Sequence, residues 1–306
     1  MTKLALGVDI GGTNARAAVV ERATGRVLES AKESWTERQP EKVVAEVARL
    51  LAKVMAGRDT GDCPVGVGLA GMLNGPVVVN APNLGWRGVD FGTALAGAVG
   101  RRVLLFNDLS AAAWGERSAG AAKGSQHALT VFVGTGVGSA IITGGRLVEG
   151  ATGVAAEFGH TKVELEGGRR CGCGDQGCLE AYVGGARLTE WMKEEGLSGT
   201  PSDLERLAGK GDPVARRLYD FAVGHLALGI ANLVTVLNPE VLVLGGGVLS
   251  HCPGMVDRIR DVVGHRAGVA ARRAVRVELA RLGDDSGLVG AALLAAERAQ
   301  AGAPPG

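Results

Sequence analysis

Asp9-Ile10-Gly11-Gly12-Thr13-Asn14 closes an apolar run that begins at Leu4, and a second apolar run, Ala15 to Val20, opens directly after it. Two runs of strand length flanking a double glycine read as a hairpin with a glycine turn. Glycine has no Cβ to hold a ligand off the backbone, so the N–H groups of such a turn can approach a phosphate closely, and Asp9 at the strand end can hold hydrated Mg²⁺. The plain alternative is an ordinary hairpin. The arrangement recurs in the second half: Gly134-Thr135-Gly136-Val137-Gly138 separates the runs Leu129 to Val133 and Ser139 to Thr143. A third loop, Gly245-Gly246-Gly247, follows an apolar run and leads into a helix, a place where a strand end exposes backbone to an adenine or ribose.

Outward from these turns the two halves match. In the first, Val27 to Ser34 adds a strand, and Glu41 to Ala56 carries Val43, Val44, Val47, Leu50, Leu51 and Val54 at helical spacing. Strands at Val65 to Leu69 and Val103 to Phe106 bracket a helical stretch, Phe91 to Val99. The second adds a strand at Arg146 to Glu149, a long helix from Pro213 to Leu237, strands at Val241 to Leu244 and Val275 to Leu279, and a last helix, Ser286 to Gln300. The order strand-strand-strand-helix-strand-helix-strand-helix, met twice, predicts an α/β protein of two lobes on mixed sheets with a cleft between them.

Composition narrows the partners. The 306 residues carry 33 Lys plus Arg against 32 Asp plus Glu, scattered without a basic tract, so nucleic acid and anionic membrane are not expected. The apolar stretch Phe221 to Leu237, interrupted by His225 and Asn232, reads as a core helix, and the N-terminus shows no export signal; a cytoplasmic chain is expected. No GxxxxGK[ST] occurs, which disfavours a P-loop enzyme, and the one GxGxxG match, Gly172 to Gly177, follows no strand.

Cys171, Cys173 and Cys178 crowd a glycine-rich segment with His160 eleven residues upstream. Three thiolates and one imidazole are the donor set of a closed structural zinc site, and glycines at 172, 174 and 177 let the sulfurs converge. Cys63 and Cys252 read as buried core. The metal would brace Glu157 alongside Glu180, and two carboxylates suit the vicinal hydroxyls of a sugar. Asn107-Asp108 ends a strand and begins a helix, so Asp108 is either an N-cap or, facing the crevice, a general base. Phosphoryl transfer to an alcohol asks for positioning, charge neutralisation and a group to take the hydroxyl proton. Asn83, in Asn83-Leu84-Gly85-Trp86, is a further candidate for a sugar hydroxyl or a plain turn residue.

Taken together, residues 9–14, 107–108, 134–138, 157–160 and 171–180 resemble the ROK family of bacterial sugar kinases and repressors over nearly the whole chain. The resemblance implies the two-lobed actin-like fold of the hexokinase superfamily, with ribonuclease H-like lobes closing on ATP and a hexose, glucose being the commonest family substrate. The implied division is a small lobe, 1–117, completed by the helix 286–300, a large lobe, 118–285, carrying the zinc loop, and a flexible tail, 301–306. By motif, Asp108 resembles the catalytic base. Asn107, Glu157, His160 and Glu180 resemble sugar contacts, joined by Asn83 and by Gly71, where the family more often has a proline-glycine turn. Asp9, Gly11, Gly12, Thr13, Asn14, Gly134, Thr135, Gly136, Gly138, Gly245, Gly246 and Gly247 would serve ATP and Mg²⁺. His160, Cys171, Cys173 and Cys178 would hold structural Zn²⁺, His160 using its second nitrogen for sugar. A homo-oligomer, dimer or tetramer, is expected. The family's repressors carry a winged helix ahead of the first glycine loop, and here eight residues precede Asp9, so DNA binding is not expected. The rival readings are an N-acetylhexosamine, fructose or mannose kinase, and a non-catalytic sugar-sensing regulator.

Overall fold

The run Leu4–Ile10 forms a strand buried along most of its length, and its side chains alternate between two unlike faces. Leu6, Val8 and Ile10 enter an aliphatic core, whereas Gly7 falls on the other face, where a Cβ would overlap backbone. The computed structural model that shows this describes residues 3–35 and 37–300; the expected tail at 301–306 lies outside the described residues.

Contacts divide the chain into two compact units. The first gathers the chain up to Gly124, the segment Glu149–Ala155 and the chain from Arg281 on. It contains β1 (Leu4–Ile10), β2 (Asn14–Glu21), β3 (Val27–Ser34), α1 (Pro40–Met55), β4 (Val65–Leu69), β5 (Met72–Asn74), β6 (Val77–Ala81), β7 (Trp86–Val89), α2 (Phe91–Val99), β8 (Val103–Asn107) and α3 (Asp108–Ala119). The main sheet has the order β3-β2-β1-β4-β8, antiparallel among the first three strands and parallel from β1 onward. Helix α3 runs to Ala119, and the turn that follows bonds back to it, Ala122 N to Glu116 O at 3.0 Å and Gly124 N to Arg117 O at 3.2 Å.

The second unit, Ser125–Val148 with Ala156–Ala280, holds β9 (Ala128–Val133), β10 (Val137–Thr143), β11 (Arg146–Leu147), α4 (Glu180–Val183), α5 (Gly185–Glu194), α6 (Pro201–Gly209), α7 (Pro213–Leu237), β12 (Val241–Gly245), α8 (Gly247–His251), α9 (Pro253–Arg266), α10 (Val269–Ala274) and β13 (Arg276–Leu279). Its sheet order, β11-β10-β9-β12-β13, repeats the pattern of the first. Helix α7 is punctuated by the Asp212 side chain, which accepts from Ala215 N at 2.9 Å, and by left-handed Asn238. It is long and apolar enough to cross a membrane by length and composition, yet one face, including Leu218, Leu226, Ile230 and Val234, is packed into the core of this unit.

The final helix, α11 (Ser286–Gln300), packs in the first unit against α3, β1 and β4. The fit depends on glycine. A Cβ on Gly7 or Gly66 would overlap the backbone of α11, and one on Gly290 would overlap Ala111 of α3. Small residues on both sides bring helix and sheet to backbone distance, where many dispersion contacts replace a few bulky ones.

Candidate active site

In the first unit the turn after β1 is closed by Gly11 N donating to Asn14 O at 2.8 Å. Neither Gly11 nor Gly12 has a positive φ; what Gly12 needs is space, since a Cβ there would lie 3.3 Å from Asn83 O. Thr13 and Asn14 follow, tied by Asn14 Nδ2 to Thr13 Oγ1 at 3.3 Å. Asp9 lies on the same face of β1 as Gly7, toward the first turn of α11: a Cβ on Gly287 would sit 3.7 Å from Asp9 Oδ1 and 4.0 Å from the Asp108 carbonyl oxygen. Burial pushes the Asp9 carboxyl above its usual range, against the pull of Arg16 and with a further push from Asp284. An acid whose folded pKa is raised keeps its proton longer in the folded chain, so stability declines as pH climbs from the unfolded value, about 4, through the folded one. Asp9→Asn is therefore expected to raise the unfolding midpoint at pH 7 by about 2 °C in a calorimetric scan. A lower midpoint would contradict this.

The helix cap at the end of β8 is Asn107, not Asp108. Asn107 Oδ1 accepts from Leu109 N at 3.0 Å and Ser110 N at 3.2 Å, while its Nδ2 donates to Gly71 O at 3.4 Å. Asn107 thus ties the loop after β4 to the start of α3. Asp108 is the first residue of that helix, half-buried, with Oδ1 accepting from Leu109 N at 2.9 Å. An anion there is favourably placed by the helix dipole. Asn83 is an exposed residue of the β6–β7 turn whose carbonyl accepts from Arg38. That hairpin sheet went unpredicted, although Asn74-Gly75 is a strong turn signal and Gly75 does adopt a positive φ of 57°.

In the second unit the loop Gly134–Gly136 bends tightly, Gly134 N reaching Gly136 O at 2.9 Å, and Gly138 lies in β10 paired with Phe132 rather than in the loop. The loop's carbonyls are already engaged: Gly185 N donates to Gly134 O at 2.8 Å and Ala186 N to Thr135 O at 3.3 Å. Gly246, φ 89°, sits against the backbone of Val133, so the second and third glycine loops are neighbours, with Gly245 and Gly247 on either side of it.

Glu180 opens α4. Its Oε2 accepts from Val137 N at 2.9 Å, filling the space a side chain at Gly136 would need, and its Oε1 lies 3.6 Å from Cys171 Sγ. Glu157 is exposed, with Oε2 3.7 Å from His160 Nε2. The opposite ring nitrogen, Nδ1, faces Cys171 Sγ at 3.6 Å. His160 therefore turns one nitrogen to the sulfurs and the other outward.

The ligand atoms of His160, Cys171, Cys173 and Cys178 all lie within 4.8 Å of one another, and Cys173 Sγ is 3.8 Å from Cys178 Sγ. Two sulfurs bound to a tetrahedral zinc at about 2.3 Å are about 3.8 Å apart, so the donor set fits that ion. The turn that gathers them is closed by Cys171 N to Asp175 O at 2.8 Å, and Gly174 and Gly177 take positive φ while Gly172 does not. Burial pushes the Cys171 thiol up to about 12; a bound cation reverses this by displacing the proton. The Lys162 ammonium, 3.2 Å from Cys178 Sγ and 2.5 Å from Asp175, places a positive charge beside the sulfurs.

A model of the ROK family matches residues 5–298. The glucokinase of Streptomyces coelicolor is 35% identical over 315 residues, covering 96% of this chain and 98% of that protein. Among solved structures, a ROK hexokinase from Thermus thermophilus aligns with a TM-score of 0.83 at 32% identity, over 97% of this chain and 99% of that one. A ROK family glucokinase from Streptomyces griseus, solved with glucose and AMPPNP, gives 0.77 at 34% identity, over 96% and 99%.

Proposed function

The chain belongs to the ROK family, and from that membership we propose that it is an ATP-dependent glucose kinase, forming glucose 6-phosphate by transfer of the γ-phosphoryl group. Its fold is the two-lobed actin-like α/β fold of the ROK hexokinases. The observation that supports the mechanism is the arrangement at the start of α3: Asn107 supplies the helix cap, and Asp108, the first residue of the helix, brings a half-buried carboxylate that would take the proton of the sugar alcohol.

In this reading Asp108 accepts the proton of the 6-hydroxyl as the phosphoryl group passes to its oxygen. In a loose transition state that proton leaves late, so a carboxylate suffices as base. Asn107, Gly71 and Asn83 are candidates to fix the sugar, and Glu157, His160 and Glu180 are candidates to accept or share hydroxyl protons. Gly11 to Asn14, Gly134 to Gly136 and Gly245 to Gly247 would present backbone N–H groups to the nucleotide, and Asp9 would hold hydrated Mg²⁺, whose charge offsets that of the phosphates. The zinc would be structural, keeping His160 oriented. The work belongs in the cytoplasm, where ATP is made, and the working form would be a homo-oligomer without nucleic acid.

Steady-state assays with Mg-ATP and glucose, mannose, fructose, N-acetylglucosamine and N-acetylmannosamine test the reading. The highest kcat/KM is expected with glucose. Sugar binding by calorimetry with no transfer to any of them would leave a sensor, not a kinase.

A further inference from the structure

Glu116, near the C-terminal end of α3, is fully buried, yet it carries a carboxylate. Such a group is tolerated only when its lone pairs are met. Here Oε2 accepts from Ala121 N at 2.7 Å, both oxygens accept from Arg281 N at 3.1 Å, and Oε1 accepts from Leu282 N at 2.9 Å and from the Ser286 hydroxyl at 3.1 Å. The surroundings are shaped to it: a Cβ on Gly120 would overlap the carboxylate itself. An apolar side chain of similar volume would fill this space at less desolvation cost. What the carboxylate adds is direction, because it binds the end of α3 and the start of α11 at once.

The start of α11 also lies near both the Asp9 side chain and the backbone of Asp108. Ser286 opens the helix, its carbonyl lies against Gly115 of α3 so closely that a Cβ there would overlap it, and the next residue, Gly287, faces both Asp9 Oδ1 and the Asp108 carbonyl. From the other side Arg16 donates to Asp284 O at 2.8 Å and pairs with Asp285. The turn 281–286 is thereby gripped at two points, and Glu116 is the buried one.

We propose that Glu116 is a positioning residue for phosphoryl transfer: by fixing the first turn of α11 against α3 it sets the spacing between Asp9, on the metal side, and Asp108, on the sugar side. This rests on the kinase reading above. Glu116 touches no substrate and lies eight residues, about 12 Å of helix, from Asp108, so it acts through that turn alone.

The test is Glu116→Gln, which keeps the shape but turns an amide donor toward backbone donors. Steady-state kinetics with Mg-ATP and glucose are compared with Leu50→Ala, a core truncation in α1 that destabilises the same unit away from the turn. Glu116→Gln should lose about tenfold to a hundredfold in kcat with KM for glucose within about twofold, since small misplacements of reacting groups are costly. Leu50→Ala should keep its kcat per folded molecule while its unfolding midpoint falls. If Glu116→Gln matches wild-type kcat per folded molecule, the inference is overturned. Should that variant not fold, Ser286→Ala decides: a few-fold loss in kcat at constant KM supports the role, and wild-type kcat overturns it. A wild-type chain that phosphorylates no sugar refutes the kinase reading and this inference with it, an outcome separate from a selective failure of the variants.

Discussion

Asp108→Asn is expected to lower kcat for glucose phosphorylation by about a thousandfold while glucose binds within about threefold of its normal affinity. General-base catalysis by a placed carboxylate contributes about 10²- to 10⁴-fold, and an amide cannot take the proton. Asparagine preserves what is structural: its carbonyl oxygen can still accept from Leu109 N, as Oδ1 does at 2.9 Å, and the cap from Asn107 is untouched. Loss of kcat with intact binding is thus the signature of a group used in the transition state and not in holding the substrate. The check is a pair of measurements on one preparation, turnover by a coupled assay and glucose affinity by calorimetry. Turnover near the wild-type value would remove Asp108 from the role of base.

The second large effect concerns the metal. Purified protein should contain about one zinc per chain, and Cys178→Ala should lose it and fall about a hundredfold in kcat/KM for glucose. Cys178 is buried, 3.8 Å from Cys173 Sγ and 3.2 Å from the Lys162 ammonium. Without it the remaining ligands, His160, Cys171 and Cys173, are three on two separate segments, and binding energy that served to order those segments is lost. The consequence reaches the glucose and nucleotide candidates through Glu180, which lies beside Cys171 Sγ and accepts from Val137 N at the end of the glycine loop. Metal analysis alongside kinetics measures both parts. Zinc near zero in carefully prepared wild-type protein, or full activity in the zinc-free variant, would contradict the structural role.

Much of this was legible because short-range signals and long-range packing agree. The two glycine hairpins announce themselves by apolar runs of strand length on either side, and α7 by Asp212-Pro213 before it and Asn238-Pro239 after it. The convergence of His160, Cys171, Cys173 and Cys178 was readable because three cysteines among glycines in a polar segment have few other uses. What escaped depends on partners remote in sequence. The small hairpin sheet β5-β6-β7 is built of strands of 3, 5 and 4 residues, too short for alternation to stand out. The glycines at 7 and 66 look like weak points in strands until α11 is laid on them. Which of two adjacent residues caps α3 was ambiguous, since Asn and Asp serve equally well as caps. Glu180 was assigned to sugar alone, and no local pattern reveals that its carboxylate also holds Val137 N. Glu116 was passed over for the same reason: a glutamate amid alanines on a helix reads as a solvated charge unless its remote donors, Arg281 N, Leu282 N and the Ser286 hydroxyl, 165 to 170 residues away in sequence, are known.

A crystal structure of this chain with glucose and AMPPNP puts the central claim to the most direct test. The account predicts a carboxylate oxygen of Asp108 within hydrogen-bonding reach of the glucose 6-hydroxyl, about 2.6–3.2 Å. Glucose bound with that hydroxyl turned away from residue 108, and held instead by another base, would contradict it.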